Sequence, residues 1–246
     1  MTRTRALAAA MAMALASLAS PLPALAAGAT PSAQAPASVA ATRLHALFEA
    51  DWQRRLEDNP LLASYLGDKR HNARLPDLSP AAFARREAAL RASLATLEGI
   101  DRAALSPADQ LNYDLYLREL RIDLEALAFP SQRLAVDQRG GVHLLAVQMA
   151  PALRFESAAD YADWTARLRG YGTLVDQTIA LMREGMASGW VAPKAVMQRV
   201  PAQIAAQRVA RAEDSSFYTP FLAMADALEA AERERLQAEG RAAVAD

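Results

Sequence analysis

A chain of 246 residues with 27 Lys plus Arg, 28 Asp plus Glu, 52% hydrophobic residues and no cysteine has enough apolar material for one sizeable core or two small ones, and it is neither disordered nor collagen-like. A formal net charge of -1 argues against nucleic acid as a partner, because such binding draws its affinity from an excess of Lys and Arg over phosphates. Without cysteine there is no disulfide, thiolate nucleophile, iron–sulfur cluster or cysteine-ligated zinc.

The chain opens with Arg3 and Arg5, runs through an apolar stretch from Ala6 to Leu18 and reaches Ala24-Leu25-Ala26. This pattern reads as a secretory signal peptide over residues 1–26 with an A-x-A cleavage site. Its apolar part is too short for a helix that must cross a bilayer with about 20 residues. No cysteine follows the cut to carry a lipid, and the two arginines are not adjacent as a twin-arginine signal requires. The expected product is periplasmic or secreted, has no membrane anchor, and carries 25 basic against 28 acidic residues once Arg3 and Arg5 are removed. Residues 27–38, rich in Gly, Ala, Thr, Pro, Ser and Gln, read as a flexible tether to a helical domain over 39–246.

Five prolines stand at the first position of an expected helix. Four follow a residue able to cap it, in Asn59-Pro60, Ser79-Pro80, Ser106-Pro107 and Thr219-Pro220, and Ala192-Pro193 is the uncapped fifth. Ser157 and Asp160 add the outline of a capping box. Apolar residues between these starts recur at helical spacing, as in Leu44, Leu47, Phe48, Trp52 and Leu56, or Leu111, Leu115, Leu120, Leu124 and Leu127, and no sustained alternation with period two occurs. Gly67, Gly99 and Gly189 fall where a helix end takes a left-handed residue. The spacing predicts an all-α, irregular multi-helix array, with helices near 39–57, 60–66, 80–97, 107–128, 158–169, 171–187, 193–211 and 220–239. Pro201 should kink or split the seventh of these. Residues 129–151, with Pro130, Gly140-Gly141 and Pro151, read as a long connection carrying a short apolar piece, Val142 to Met149, helix rather than strand.

Chemistry-bearing patterns are sparse. His45, His71 and His143 lie 26 and 72 residues apart, outside any H-E-x-x-H or i, i+4 histidine pair, so no self-contained zinc motif exists. His45 with Glu49, or His71 with His143 and either Asp68 or Asp137, are the remaining combinations that could share a metal. There is no G-x-S-x-G serine elbow, and Gly140-Gly141 lacks the Lys-Ser or Lys-Thr of a phosphate loop. The densest polar cluster is Asp109, Gln110, Asn112, Tyr113 and Asp114 at the head of the Pro107 helix. It is a candidate for one side of a substrate cleft, although acidic residues in a first turn also answer the helix dipole. Tyr161, Trp164 and Tyr171 have the spacing of core aromatics.

Several phrases, in order, carry a resemblance. They are Asn59-Pro60 with Gly67-Asp68, Leu75-Pro76-Asp77-Leu78-Ser79, Ile100-Asp101 leading to Leu105-Ser106, and Asp109-Gln110-Leu111-Asn112-Tyr113-Asp114. Further on come Tyr161 with Arg167-Leu168, and the run from Asp176 to Met186 followed by Gly189 and Pro193. From about 44 to 239 the chain resembles the N-terminal part of the domain-of-unknown-function 885 family, secreted bacterial proteins similar to zinc metallopeptidases. The resemblance implies a helical half that forms one wall of a substrate cleft, with zinc held by an H-E-x-x-P-G-H-H motif in a C-terminal half of the full-length relatives. That motif does not occur here, so no catalytic or metal-binding residue carries over, and no cofactor is expected in this chain. The implied reading is an incomplete part of a larger peptidase-like domain, inactive alone, whose partners are a peptide substrate or the missing C-terminal half. The alternative is a free-standing periplasmic helical binding protein without catalysis.

The signal reading has a direct check. Intact-mass measurement on protein from its native host is expected to give a chain starting near Ala27; retention of Met1 to Ala26 would refute export by this signal.

Overall fold

Capping chemistry builds the first half of the fold, as the sequence expects for Asn59, Ser79 and Ser106. In the computed structural model, which describes residues 38–245, Ser38, Asn59, Ser79 and Ser106 each accept a hydrogen bond from the backbone N–H three residues on, at 3.1 to 3.2 Å. They open α1 (Val39–Asp58), α2 (Pro60–Tyr65), α3 (Pro80–Glu98) and α4 (Pro107–Ala126). The signal peptide and nearly all of the tether lie outside the described residues.

The second half holds α5 (Leu145–Met149), α6 (Ala158–Arg169), α7 (Tyr171–Ser188), α8 (Lys194–Met197), α9 (Val200–Ala206), α10 (Thr219–Leu222) and α11 (Ala230–Ala245), joined by loops and short 3-10 turns. At the head of α6 the Asp160 carboxylate reaches back to the backbone N–H groups of Glu156 and Ser157, at 3.1 and 2.9 Å. No strand occurs among the described residues, so the chain is an all-α multi-helix array. The connection over 129–151 is helical where it is regular, with α5 flanked by 3-10 turns at Val142–Leu144 and Ala150–Ala152.

The split expected at Pro201 occurs: the helix drawn over 193–211 is two short ones, and Pro201 sits in the first turn of α9, where its missing N–H costs no hydrogen bond. Four expectations are corrected. Pro193 caps α8 rather than starting it. The helix drawn over 220–239 is broken between Leu222 and Ala230: Tyr161 Oη accepts the Ala225 N–H at 3.1 Å, and Leu228 is buried, so tertiary partners override the local alanine content. Thr219 accordingly lies inside α10 and does not cap it. Finally, Gly67 and Gly189 take the left-handed conformation at φ 84° and 77°, but Gly99 remains right-handed at φ -81°.

Two apolar clusters form. One gathers Leu44 and Leu47 of α1, Leu97 of α3, and Tyr113 and Leu120 of α4 with Ile100 and Leu105 between them. The other gathers Met149, Tyr161, Trp164, Leu168, Tyr218, Phe221 and Leu236, and so joins α5, α6, α10 and α11. Tyr161 and Trp164 are core residues as their spacing indicates, and the Tyr171 hydroxyl donates to the Val142 carbonyl, tying α7 to the long connection.

The stretch from α2 to α3 meets the second cluster through polar side chains. Arg167, only 2% exposed, donates to the Arg74 carbonyl (2.8 Å), the Ser64 hydroxyl (2.8 Å) and the His71 carbonyl (3.2 Å). One helix further on, Gln177 accepts from the Leu78 N–H at 2.8 Å and donates to Asp77 at 3.0 Å.

Asp77 gives this junction a pH dependence. The Ser79 N–H donates to its carboxylate at 2.9 Å, and with the Ser79, Gln177 and Arg85 side chains it holds Asp77 down at about 2. A carboxyl depressed in the folded state contributes stability that is complete above its unfolded value near 4 and is lost as pH falls through about 2. Urea unfolding at pH 5, 3 and 2 should therefore show a decline over that interval that is shallower in Asp77→Asn; identical slopes would show that this charge contributes nothing.

Candidate functional site

A cavity of about 570 Å3 opens between α1, α3 and α4. Its apolar wall is Phe48 and Trp52 of α1, Leu90 of α3, Leu120 of α4 and Pro76, and its charged groups are Asp51, Arg54, Arg55, Asp58, Arg86, Glu119 and Asp123. Helical spacing explains this mixture. On α1, residues 44, 48, 51 and 55 follow the i, i+4, i+7 rule, so the stripe that begins apolar at Leu44 turns acidic at Asp51 and basic at Arg55.

Asp51 is the fixed point of the cleft. It is 8% exposed and accepts from the Ser93 hydroxyl at 2.8 Å, from Arg54 at 2.6 Å and from the Tyr116 hydroxyl. Arg54 also donates to Ser93 Oγ at 3.2 Å, which closes a loop among α1, α3 and α4. A buried carboxylate is tolerated when its lone pairs are filled in this way. Burial, followed by the neighbouring Asp51 carboxylate, pushes the Tyr116 phenol above its ordinary value, so it stays a protonated donor. Its ring meets Phe48 edge-on at 5.0 Å between centroids.

Nearer the mouth, Arg55 pairs with Glu119 at 3.3 Å. Arg86 faces Asp58 at 3.6 Å, donates to the Asp77 carbonyl at 2.7 Å and lies over the Phe83 ring at 5.4 Å. These groups are fixed on helices around the cavity and are engaged with one another. A smaller apolar cavity of about 210 Å3 lies elsewhere, lined by Met182, Met186, Met197, Trp190 and the 133–136 stretch.

The polar cluster expected at the head of α4 is dispersed rather than aimed at this cleft, and none of its five residues lines the cavity. Asp109 meets His45 at 2.8 Å, and that contact, then Ser106, holds its carboxyl below the usual range. Asp114 is gripped by Arg102 at 2.7 and 2.6 Å, and the same arginine reaches Gln110 at 3.3 Å. Gln110 also donates to the Leu105 carbonyl. Tyr113 is buried in the first apolar cluster, while Asn112 is exposed.

The histidines have other partners than a metal. His45 contacts Asp109, His71 contacts Arg74 at 3.4 Å, and His143 contacts Gln203 at 3.2 Å. Asp68 is held by Arg70, and Asp137 by the backbone N–H groups of Arg139 and Gly140. Among the described residues no three His, Asp or Glu groups converge to hold an ion. The donor set here does not fit the zinc that the resemblance implies for full-length relatives.

Residues 60–246 match the family described as bacterial protein of unknown function, DUF885. The chain belongs to that family. The match starts at the proline that opens α2, so α1, which supplies six of the cleft's fourteen lining residues, precedes it in this DUF885 protein. Among curated proteins none matches.

Asp51, Arg54, Trp52 and Tyr116 escaped the sequence reading. One signal could have found the first: an aspartate on the inward stripe of an amphipathic helix needs buried donors, and Ser93 and Tyr116 lie on the corresponding stripes of α3 and α4. Replacing Asp51 by Asn is expected to lower stability by about 2 kcal/mol, since three donors lose a charged acceptor. Tyr116→Phe should cost about 1 kcal/mol, and the pair less than the sum. Urea denaturation of the two single variants and the double variant checks both values; strict additivity would show that the network is not shared.

Proposed function

We propose that this DUF885 chain is an exported, helical and non-catalytic part of a peptidase-like protein, and that the α1–α3–α4 cleft is a wall that holds peptide. The observation that carries the reading is the cleft itself, an apolar trough with charged groups fixed by cross-helix hydrogen bonds. Such a surface suits an extended chain, whose side chains are apolar and charged by turns and whose position must be held while chemistry occurs elsewhere. The family match, and the resemblance of its phrases to the N-terminal half of zinc metallopeptidase-like proteins, supply the peptidase context. Zinc chemistry belongs in this reading to residues outside this chain.

The outer face of α4 supports a larger assembly. Leu111, Leu115 and Ile122 share that face and are each half exposed or more, an apolar stripe that a further helical part of a larger peptidase-like protein would cover in this reading.

Two experiments test the reading. Amide chemical-shift mapping during titration with a mixed peptide pool is expected to perturb residues of α1, α3 and α4 around the cavity; perturbations confined to other surfaces would refute the cleft. Reading the DNA downstream of codon 246 separates the peptidase context from its rival. An in-frame H-E-x-x-P-G-H-H supports the first, and a stop codon favours a free-standing binding protein that uses the same cleft.

A further inference from the structure

The charges around the cleft are unequal in number and in engagement. Each of its three arginines faces a carboxylate: Arg54 with Asp51 at 2.6 Å, Arg55 with Glu119 at 3.3 Å and Arg86 with Asp58 at 3.6 Å. The fourth carboxylate, Asp123, makes no ion pair or side-chain hydrogen bond among the described residues, although it lines the same cavity and is exposed. An incoming anion would have to take an arginine from its partner, whereas an incoming cation finds a carboxylate free.

An aromatic face stands in the same cavity. Trp52 is 41% exposed and stacks on no other ring among the described residues. Indole is the strongest of the side-chain π surfaces for a cation, and an alkyl stem prefers the kind of wall that Leu90 and Leu120 provide. A charged head on a flexible hydrocarbon stem describes the side chains of arginine and lysine.

We propose that the α1–α3–α4 cleft selects peptides by a basic side chain, for which the Trp52 indole and the Asp123 carboxylate that line the same cavity are the two contact groups. This rests on the reading that the cleft holds peptide and adds which peptides it prefers. The buried network around Asp51 is then the rigid floor, and the contact groups are the two that the fold leaves without partners. Because Asp123 is solvent-exposed, the attraction is screened by salt, so affinity should fall as ionic strength rises.

Isothermal titration of the full chain with four blocked tripeptides, differing only in a central Arg, Lys, Glu or Ala, tests the proposal. The Arg and Lys peptides should bind about tenfold or more tightly than the Glu peptide. Asp123→Asn should weaken the Arg peptide about threefold to tenfold, and Trp52→Leu by a similar factor. Asp123→Lys should reverse the preference toward the Glu peptide. Both positions are exposed on α1 and α4, and far-UV circular dichroism confirms that each variant keeps its helices.

Equal binding of all four peptides at the cleft would overturn the charge selectivity and leave the peptide-holding wall standing. Tighter binding of the Glu peptide, or an Arg-peptide affinity indifferent to both Asp123→Asn and Trp52→Leu, would overturn it as well. No binding of any peptide would overturn both readings.

Discussion

The buried guanidinium of Arg167 is the central tie between the two helical groups of this chain, beside the Lys69–Asp160 ion pair, the Gln177 hydrogen bonds and the packing of Leu61. The first apolar cluster belongs to α1, α3 and α4 and the second to α5, α6, α10 and α11, and the chain between α2 and α3 has little regular structure of its own. Arg167 reaches into that irregular stretch and holds two of its carbonyls, and it also holds the Ser64 hydroxyl of α2, with the Met149 sulfur as a further contact. No carboxylate hydrogen-bonds to it among the described residues, so the cost of burying a charge is offset by hydrogen bonds to neutral groups together with the nearby charge of Asp163. Burial pushes Arg167 down to about 10, which still leaves it cationic at neutral pH. A lysine could not replace it, since three donors on one point cannot serve acceptors spread around a planar fork.

The cleft depends on this arrangement at one remove. Pro76 and Arg86 line it, and both follow from the path that Arg167 and Gln177 impose on the segment before α3. Arg86 donates to the carbonyl of Asp77, whose carboxylate is in turn bonded to Gln177 of α7. Helix α7 therefore reaches the cavity through a chain of hydrogen bonds, without lining it. A cleft framed this way holds its shape before a ligand arrives, and preorganisation of that kind is what allows modest contacts to discriminate.

Most of the architecture was legible because it rests on local chemistry. Asn59, Ser79 and Ser106 announce their helices whatever surrounds them, and their boundaries are recovered to within two residues. The break before α11 and the dispersal of the polar run at the head of α4 depend on distant partners. Nothing near Ala225 reveals that Tyr161 will take its N–H, so the break between α10 and α11 could not be read. The polar run from Asp109 to Asp114 drew attention because it is dense in sequence, yet His45 and Arg102 engage its two carboxylates on separate sides. Conversely, Asp51, Ser93 and Tyr116 are unremarkable one at a time and become a unit only when three helices pack. Density along the chain is a poor guide to density in space for a helical protein, where neighbours in sequence point in different directions.

The seat of α11 has a consequence for how the fold comes apart. Gly240 lies beneath the fully buried ring of Phe221, where a Cβ would sit 2.6 Å from ring atoms, and Gln237 donates to the Phe221 carbonyl from the same helix. Sliding α11 by one turn would bring Leu236 or Val244 to that notch, and neither fits under the ring. The helix thus has a single axial register and no half-docked alternative of comparable energy. Departure of α11 strips the cover from Tyr161 and Phe221 together, so it becomes coupled to melting of the second cluster rather than being an independent fraying of the last helix.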